Sequence, residues 1–283
     1  MKTWNILYRG SLSSCNYACS YCPFAKTKNT RAELAQDEKE LHRFVDWVAQ
    51  QKERIGILFT PWGEGLIRKY YQKAMLRLSH LPNVYRVAIQ TNLSCKTEWM
   101  AEVDKERFAL WTTYHPTEVS REKFVGKCRS LDEMAIRYSV GFVGFKEQLD
   151  ELEALRKELN PTVYLWANAY KRDPNYYDEQ LLERIEKVDP LFRWNTQYHE
   201  SLGESCRAGE SSFTVDGMGD LRRCHFIKPV LANIYQDDWE LSLKARNCSE
   251  KTCGCHIGYV HLDKLNLSEV YGEGILERIP KEY

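Results

Sequence analysis

At 283 residues, 43% of them hydrophobic, the chain is long enough for one large domain, or for a domain of about 200 residues with a smaller appendage. Forty basic residues balance forty acidic ones, so no net charge draws the chain to nucleic acid or to an anionic membrane. The opening Met-Lys-Thr-Trp-Asn-Ile-Leu-Tyr-Arg lacks the layout of a signal peptide, and no run reaches the roughly 20 apolar residues of a bilayer span, which places the protein in the cytoplasm.

In chain order, six short runs rich in aromatic and β-branched residues are predicted strands: 4–8, 55–59, 84–89, 108–113, 136–143 and 163–167. Several are apolar almost throughout, as strands covered on both faces of a parallel sheet are. Helical patterns lie between them. Leu34, Leu41, Phe44, Val45 and Val48 fall on one face of the first, and Leu149, Leu152, Leu155 and Leu159 share a face further on. Leu181, Leu182, Ile185 and Val188 do the same in the last. Six β-α units are too few for a closed eight-stranded barrel, so residues 1–195 are expected to form a partial (β/α)6 TIM barrel or an open doubly wound sheet, an α/β fold either way. Ligand chemistry then belongs at the carboxyl ends of the strands. Residues 196–283 are expected to form a small Cys-rich C-terminal extension in which glycines and turn residues are dense and a metal supplies what a thin core does not.

The ten cysteines are unevenly spread: Cys15, Cys19 and Cys22 sit together, Cys206, Cys224, Cys248, Cys253 and Cys255 sit near the end, and only Cys95 and Cys128 stand alone. In a cytosolic chain such grouping points to metal rather than to disulfides, and the two isolated thiols read as plain buried residues. The first group has the spacing C-x3-C-x2-C on the loop after the first strand. Three thiolates on one loop can hold three irons of a cubane and leave the fourth open to a small molecule. Zinc is the alternative, but it is usually held by paired C-x2-C ligands, and no fourth ligand lies nearby.

That loop, with Tyr21 before its last cysteine, resembles the signature of the radical S-adenosylmethionine (SAM) superfamily. The resemblance implies a [4Fe-4S] cluster on Cys15, Cys19 and Cys22, and SAM on the open iron with Tyr21 near its adenine. It also implies reductive cleavage of SAM to a 5′-deoxyadenosyl radical that takes a hydrogen atom from a substrate. Gly63 and Glu64 after the second strand match part of the Gly-Gly-Glu-Pro stretch that meets the amino group of SAM in that family, with Trp62 in place of the first glycine and Gly65 in place of the proline. Thr91 and Asn92, Thr113, Gly141 and Val143, and Asn168 stand at the ends of the third to sixth strands, where the family contacts the rest of SAM. Trp62, His115, Trp166 and Asn168 are expected at the barrel mouth, and the sequence names no general base.

In the C-terminal part, Cys206, Gly219 and Cys224 follow C-x12-G-x4-C, and residues 213–224 read as a β-hairpin. This is similar to the SPASM and twitch extensions of the superfamily and implies a second, auxiliary [4Fe-4S] cluster. Its ligands would be Cys206, Cys224 and two of Cys248, Cys253 and Cys255. Zinc stays open here, with His225 and His256 beside Cys224 and Cys255. The resemblance implies an oxidoreductase or maturase that modifies a peptide or a small molecule, reduced by flavodoxin or ferredoxin. Only fourteen residues precede Cys15, leaving no room there for a leader-recognition domain of about 80 residues, so a peptide would need a separate recognition partner or direct binding in the barrel. A glycyl-radical activase and a non-catalytic iron–sulfur or zinc protein are the alternatives.

Overall fold

The structure is a computed structural model that describes residues 2–24 and 27–283. Its first part runs β1 (Thr3–Arg9), α1 (Arg31–Gln50), β2 (Arg54–Phe59), α2 (Lys69–Ser79), β3 (Val84–Thr91), β4 (Phe108–Thr113), α3 (Arg121–Glu133), β5 (Arg137–Val143), α4 (Leu149–Glu158), β6 (Leu165–Asn168), α5 (Glu179–Glu186) and α6 (Phe192–Thr196). All six predicted strands are present, each within two residues of its expected bounds. Local capping sets where α1 starts: Glu33 N donates to Thr30 Oγ1 (3.3 Å) and Thr30 N donates to the Glu33 carboxylate (2.6 Å). Ser120 and Asp178 cap α3 and α5 with their side chains. One crossover departs from a regular β-α series. A 3-10 turn at Glu98–Glu102, rather than an α-helix, joins β3 to β4.

β1 to β6 lie in sequence order, all parallel, from Thr3 paired with Arg54 at one edge to Val143 paired with Asn168 at the other. The Cys-rich part adds β7 (His199–Glu200), β8 (Ser205–Cys206), β9 (Ser212–Asp216), β10 (Asp220–Arg222), β11 (Val230–Asn233), β12 (Arg246–Asn247), β13 (Thr252–Cys253), α7 (His256–Tyr259) and α8 (Leu267–Tyr271). β9 pairs parallel with β1, and β10 and β11 follow antiparallel, so one sheet of nine strands runs β11-β10-β9-β1-β2-β3-β4-β5-β6. Gly219, at φ +88°, makes the turn between β9 and β10, a conformation that glycine adopts without steric cost.

Strand periodicity divides the core in two. Ile6, Tyr8, Ile57, Phe59, Val87, Ile89, Phe108, Leu110, Val140 and Phe142 face the helices. Leu7, Leu58, Ala88, Ala109, Trp111 and Trp166 face the concave side. That side is filled by the chain's own C-terminal segment, with Tyr259, Leu262, Leu267, Tyr271 and Leu276 packed there. Gly56 makes the fit, because a Cβ there would come within 2.6 Å of Leu276 Cδ1. Two charges enter with the segment. Glu277, fully buried, is bracketed by Arg86 (3.2 Å) and Arg137 (2.6 Å). Arg278, at φ +56°, turns its guanidinium back over the Trp166 ring, 4.2 Å from its centre.

Candidate active site

The loop after β1 is pinned before it reaches its first cysteine. Leu12 N donates to Asp37 of α1 (2.9 Å), whose other carboxylate oxygen accepts from Tyr70 OH (2.8 Å). Ser13 N and Ser14 N both donate to Asn29 Oδ1 (2.8 and 2.9 Å). Further on, Ala18 N donates to the Glu118 carboxylate beyond β4 (3.2 Å). The turn after β2 closes on the same loop: Glu64 N donates to Ser14 O (3.2 Å), and a Cβ on Gly63 would lie 1.9 Å from that carbonyl. Only glycine permits this approach of two backbones.

Glu64 is 2% exposed, and its carboxylate ties β2 to β3. It accepts from Leu66 N (3.0 Å), Thr91 Oγ1 (2.8 Å) and Asn92 N (2.6 Å). Burial pushes its carboxyl up, against the three hydrogen bonds that hold it down. Asn92, so placed, donates to Cys15 Sγ (3.6 Å) and to Asn16 Oδ1 (3.2 Å). The chain of contacts runs from the β2 turn through the β3 end to the first thiol. Asn16 and Ser94 close it with a hydrogen bond of 3.0 Å, a pair that no motif marks.

Together these ends enclose a cavity of about 560 Å³ lined by Cys15, Cys19, Cys22, Gly63, Glu64, Thr91, Asn92, Thr113 and His115, among others. Tyr21 borders it through His115, its hydroxyl 2.8 Å from Nδ1 and the rings stacked 5.9 Å apart, and meets Phe145 edge-on at 5.3 Å. Burial lowers the His115 pKa to about 4. Gly141, Val143 and Asn168 stand at the adjoining strand ends outside this cavity. Gly141 faces the Trp166 ring, 2.1 Å from where a Cβ would be, while Asn168 is exposed and its carbonyl accepts from Gly144 N. Trp62 lies exposed at the mouth beside Phe24 and Arg9. Trp166 is not at the mouth: it is buried inside the barrel against Trp111, with its Nε1 donating to Ser139 Oγ (3.1 Å), because the concave side there is filled by Arg278. Cys95 and Cys128 are buried thiols in the core.

Three thiols on one loop, opening on one cavity with strand ends around it, fit a cluster that takes three thiolates and leaves an iron for a small ligand. At the other end of the chain, burial pushes Cys206, Cys224 and Cys253 up, Cys253 to about 12, and charge on neighbouring cysteines pushes them further. These interactions join every pair among Cys206, Cys224, Cys248 and Cys253. Cys255 shares a cavity of about 350 Å³ with Cys224, Cys248 and Cys253, and its charge also bears on Cys253. Burial pushes its own thiol up, against Lys171, Arg278 and Arg9, which lower it. His225 is held by Thr60 (3.0 Å) and His256 is buried among Trp111, Tyr259 and Tyr271. Among the described residues no three Cys, His, Asp or Glu side chains converge as a single metal ion would require.

No protein-family profile matches the chain, and none of the curated proteins does. Among solved structures it resembles native anSMEcpe with bound AdoMet (SAM), with a TM-score of 0.53 and 15% identity over 84% of this chain and 82% of that one. It also resembles native anSMEcpe with bound AdoMet and the Kp18Cys peptide, with a TM-score of 0.54 and 14% identity over the same shares. The chain therefore shares the fold of this AdoMet-bound protein, and its large parallel sheet is consistent with a partial TIM barrel. No helix among the described residues is long and apolar enough to cross a membrane.

Proposed function

We propose that this protein is a radical SAM enzyme that carries out an oxidative modification of a peptide or small-molecule substrate with the help of an auxiliary [4Fe-4S] cluster. The observation that carries the reading is the meeting of Cys15, Cys19 and Cys22 with the ends of β2, β3 and β4 around one cavity in a fold shared with an AdoMet-bound protein. Bound at those thiols and reduced by flavodoxin or ferredoxin, a [4Fe-4S] cluster supplies the electron that splits SAM into methionine and a 5′-deoxyadenosyl radical.

The chain's own residues position and enclose. Glu64 fixes the β3 end, Asn92 steadies Cys15, and Gly63 lets the β2 turn lie against the cysteine loop. Thr91, Asn92, Thr113 and the backbone at Gly63 offer polar groups to the methionine and ribose parts of SAM. Tyr21, stacked on His115, forms an aromatic wall that continues through Phe145 to the ends of β5 and β6, where Gly141, Val143 and Asn168 border the adenine. Cys206, Cys224 and two of Cys248, Cys253 and Cys255 would hold the auxiliary cluster, so that residues 1–195 supply the radical chemistry and residues 196–283 the electron acceptor. Support for a peptide substrate comes from the Kp18Cys peptide bound to the structural neighbour.

The test is the electron paramagnetic resonance spectrum of the anaerobically reconstituted, reduced protein. An open iron predicts a signal that changes when SAM is added, and a Cys15/Cys19/Cys22→Ala variant that keeps about four irons with a SAM-insensitive signal. A native signal indifferent to SAM contradicts the reading.

A further inference from the structure

Asn92 is held through both its backbone and its side-chain oxygen. It follows β3 directly, is 6% exposed and lines the cavity of the first three thiols. Its backbone N–H donates to the Glu64 carboxylate (2.6 Å), and its Oδ1 accepts from Ser94 N (3.0 Å). A backbone N–H can only donate, so the contact with Ser94 fixes which end of the amide is oxygen and leaves the Nδ2 hydrogens facing the cysteine loop. There they meet Cys15 Sγ (3.6 Å) and Asn16 Oδ1 (3.2 Å). Tyr17 N donates to the same sulfur at 3.4 Å. As a thiolate Cys15 has no proton to give, so both contacts run toward the sulfur.

The turn that presents this amide is strained and clamped. Leu93 sits at φ +54°, a left-handed conformation that disfavours any residue with a Cβ. Leu93 N donates to Thr91 Oγ1 (3.0 Å), and Lys127 Nζ reaches in from α3 to donate to the carbonyls of Leu93 (2.9 Å) and Cys95 (2.7 Å). Strain of this kind persists where the surroundings over-determine it. A tie between strands would not require it, since Glu64 already joins β2 to β3 through Thr91 and the Asn92 backbone. What the turn fixes in addition is one amide against one sulfur. We propose that the Asn92 side chain, aimed by Ser94 N and the clamped turn, sets the reduction potential of the cluster at Cys15, Cys19 and Cys22 by hydrogen bonding to the Cys15 sulfur. Reduction adds one electron from the donor protein and breaks no bond, and part of the added charge falls on sulfur. A donor aimed at that sulfur stabilises the reduced form more than the oxidised one and raises the potential. This rests on the radical SAM reading above, but its test requires no turnover.

The experiment is a potentiometric titration of the anaerobically reconstituted protein, followed by electron paramagnetic resonance. The first cluster is read as the signal that the Cys15/Cys19/Cys22→Ala variant lacks. Asn92→Leu removes the donor and keeps most of the bulk. It is expected to disfavour reduction by about three- to tenfold, which lowers the midpoint by roughly 30–60 mV at about 59 mV per tenfold for one electron. Asn92→Asp keeps an oxygen for Ser94 N and sets a carboxylate oxygen against the sulfur, so its midpoint should fall further. Ser94→Ala removes the hydroxyl bonded to Asn16 but leaves the backbone N–H that orients Asn92, and the midpoint should stay at the native value. Native midpoints in both Asn92 variants overturn the proposal. A Ser94→Ala shift as large as that of Asn92→Leu overturns it too, because loss of a loop contact would then suffice. Loss of the first cluster's iron from both Asn92 variants makes the residue structural and also overturns it. A native protein that forms no SAM-sensitive cluster overturns the radical SAM reading and the proposal with it, and iron counted in each sample tells this failure from the others.

Discussion

Glu64 and Gly63 sit side by side and do unlike work, one through its carboxylate and the other through having no side chain. Replacing Glu64 by Gln keeps the shape but turns an amide donor toward one of three donors: Leu66 N, Thr91 Oγ1 and Asn92 N. The expected cost is about 1.5–3 kcal/mol in a urea titration, the range for a hydrogen bond to a charged group. An unchanged midpoint would show that the β2–β3 tie lies elsewhere. Gly63→Ala acts by contact, because its Cβ would lie 1.9 Å from the Ser14 carbonyl and both sides are backbone. The cysteine loop must move, so the variant is expected to lose about four of about eight irons per chain, those of the first cluster, in an iron and sulfide determination. Full retention would contradict the role given to that approach.

At the scale of elements, the C-terminal segment is both a filler of the barrel and the carrier of the second thiol set. Leu276→Ala removes a side chain packed on the concave face beside Gly56 and is expected to cost about 2–5 kcal/mol, read from thermal or denaturant unfolding. Among the cysteines, Ala at 206 or 224 should each abolish the auxiliary cluster's signal, and of Ala at 248, 253 and 255 two should abolish it and the third spare it. A signal that survives at both 206 and 224 would contradict the auxiliary cluster. The strands and the two thiol groups were legible in the sequence because their signals are local: a run of β-branched residues, or a spacing of three and two on one loop. The fate of Trp166 was not. Its position near a strand end suggested the mouth, but Arg278, far along the chain, returns to cover it. The choice among Cys248, Cys253 and Cys255 was hidden for a like reason, since all three line one cavity with Cys224 and no spacing rule separates them.

The whole molecule holds several histidines in their neutral form. Burial lowers His261 to about 4, where it packs 3.1 Å from Ser212 Oγ, and lowers His225 and His256 well below the ordinary histidine value. The unfolded chain takes up protons on these groups near pH 6.5, whereas the folded chain resists until the pH is much lower. Their contribution to stability is therefore present above pH 6.5 and is lost as the pH falls toward about 4. Urea midpoints should decline through that window, and His261→Gln should decline less steeply. A midpoint flat from pH 7 to about 4 would contradict the buried, neutral assignment.

The measurement that bears most directly on the account is SAM cleavage. The reconstituted protein, reduced anaerobically by dithionite or by flavodoxin, is incubated with SAM, and 5′-deoxyadenosine and methionine are quantified by mass spectrometry. The account predicts both products in equal amounts from the native protein, and neither from the Cys15/Cys19/Cys22→Ala variant. A native protein that carries a full first cluster, is shown to be reduced, and leaves SAM intact would contradict it.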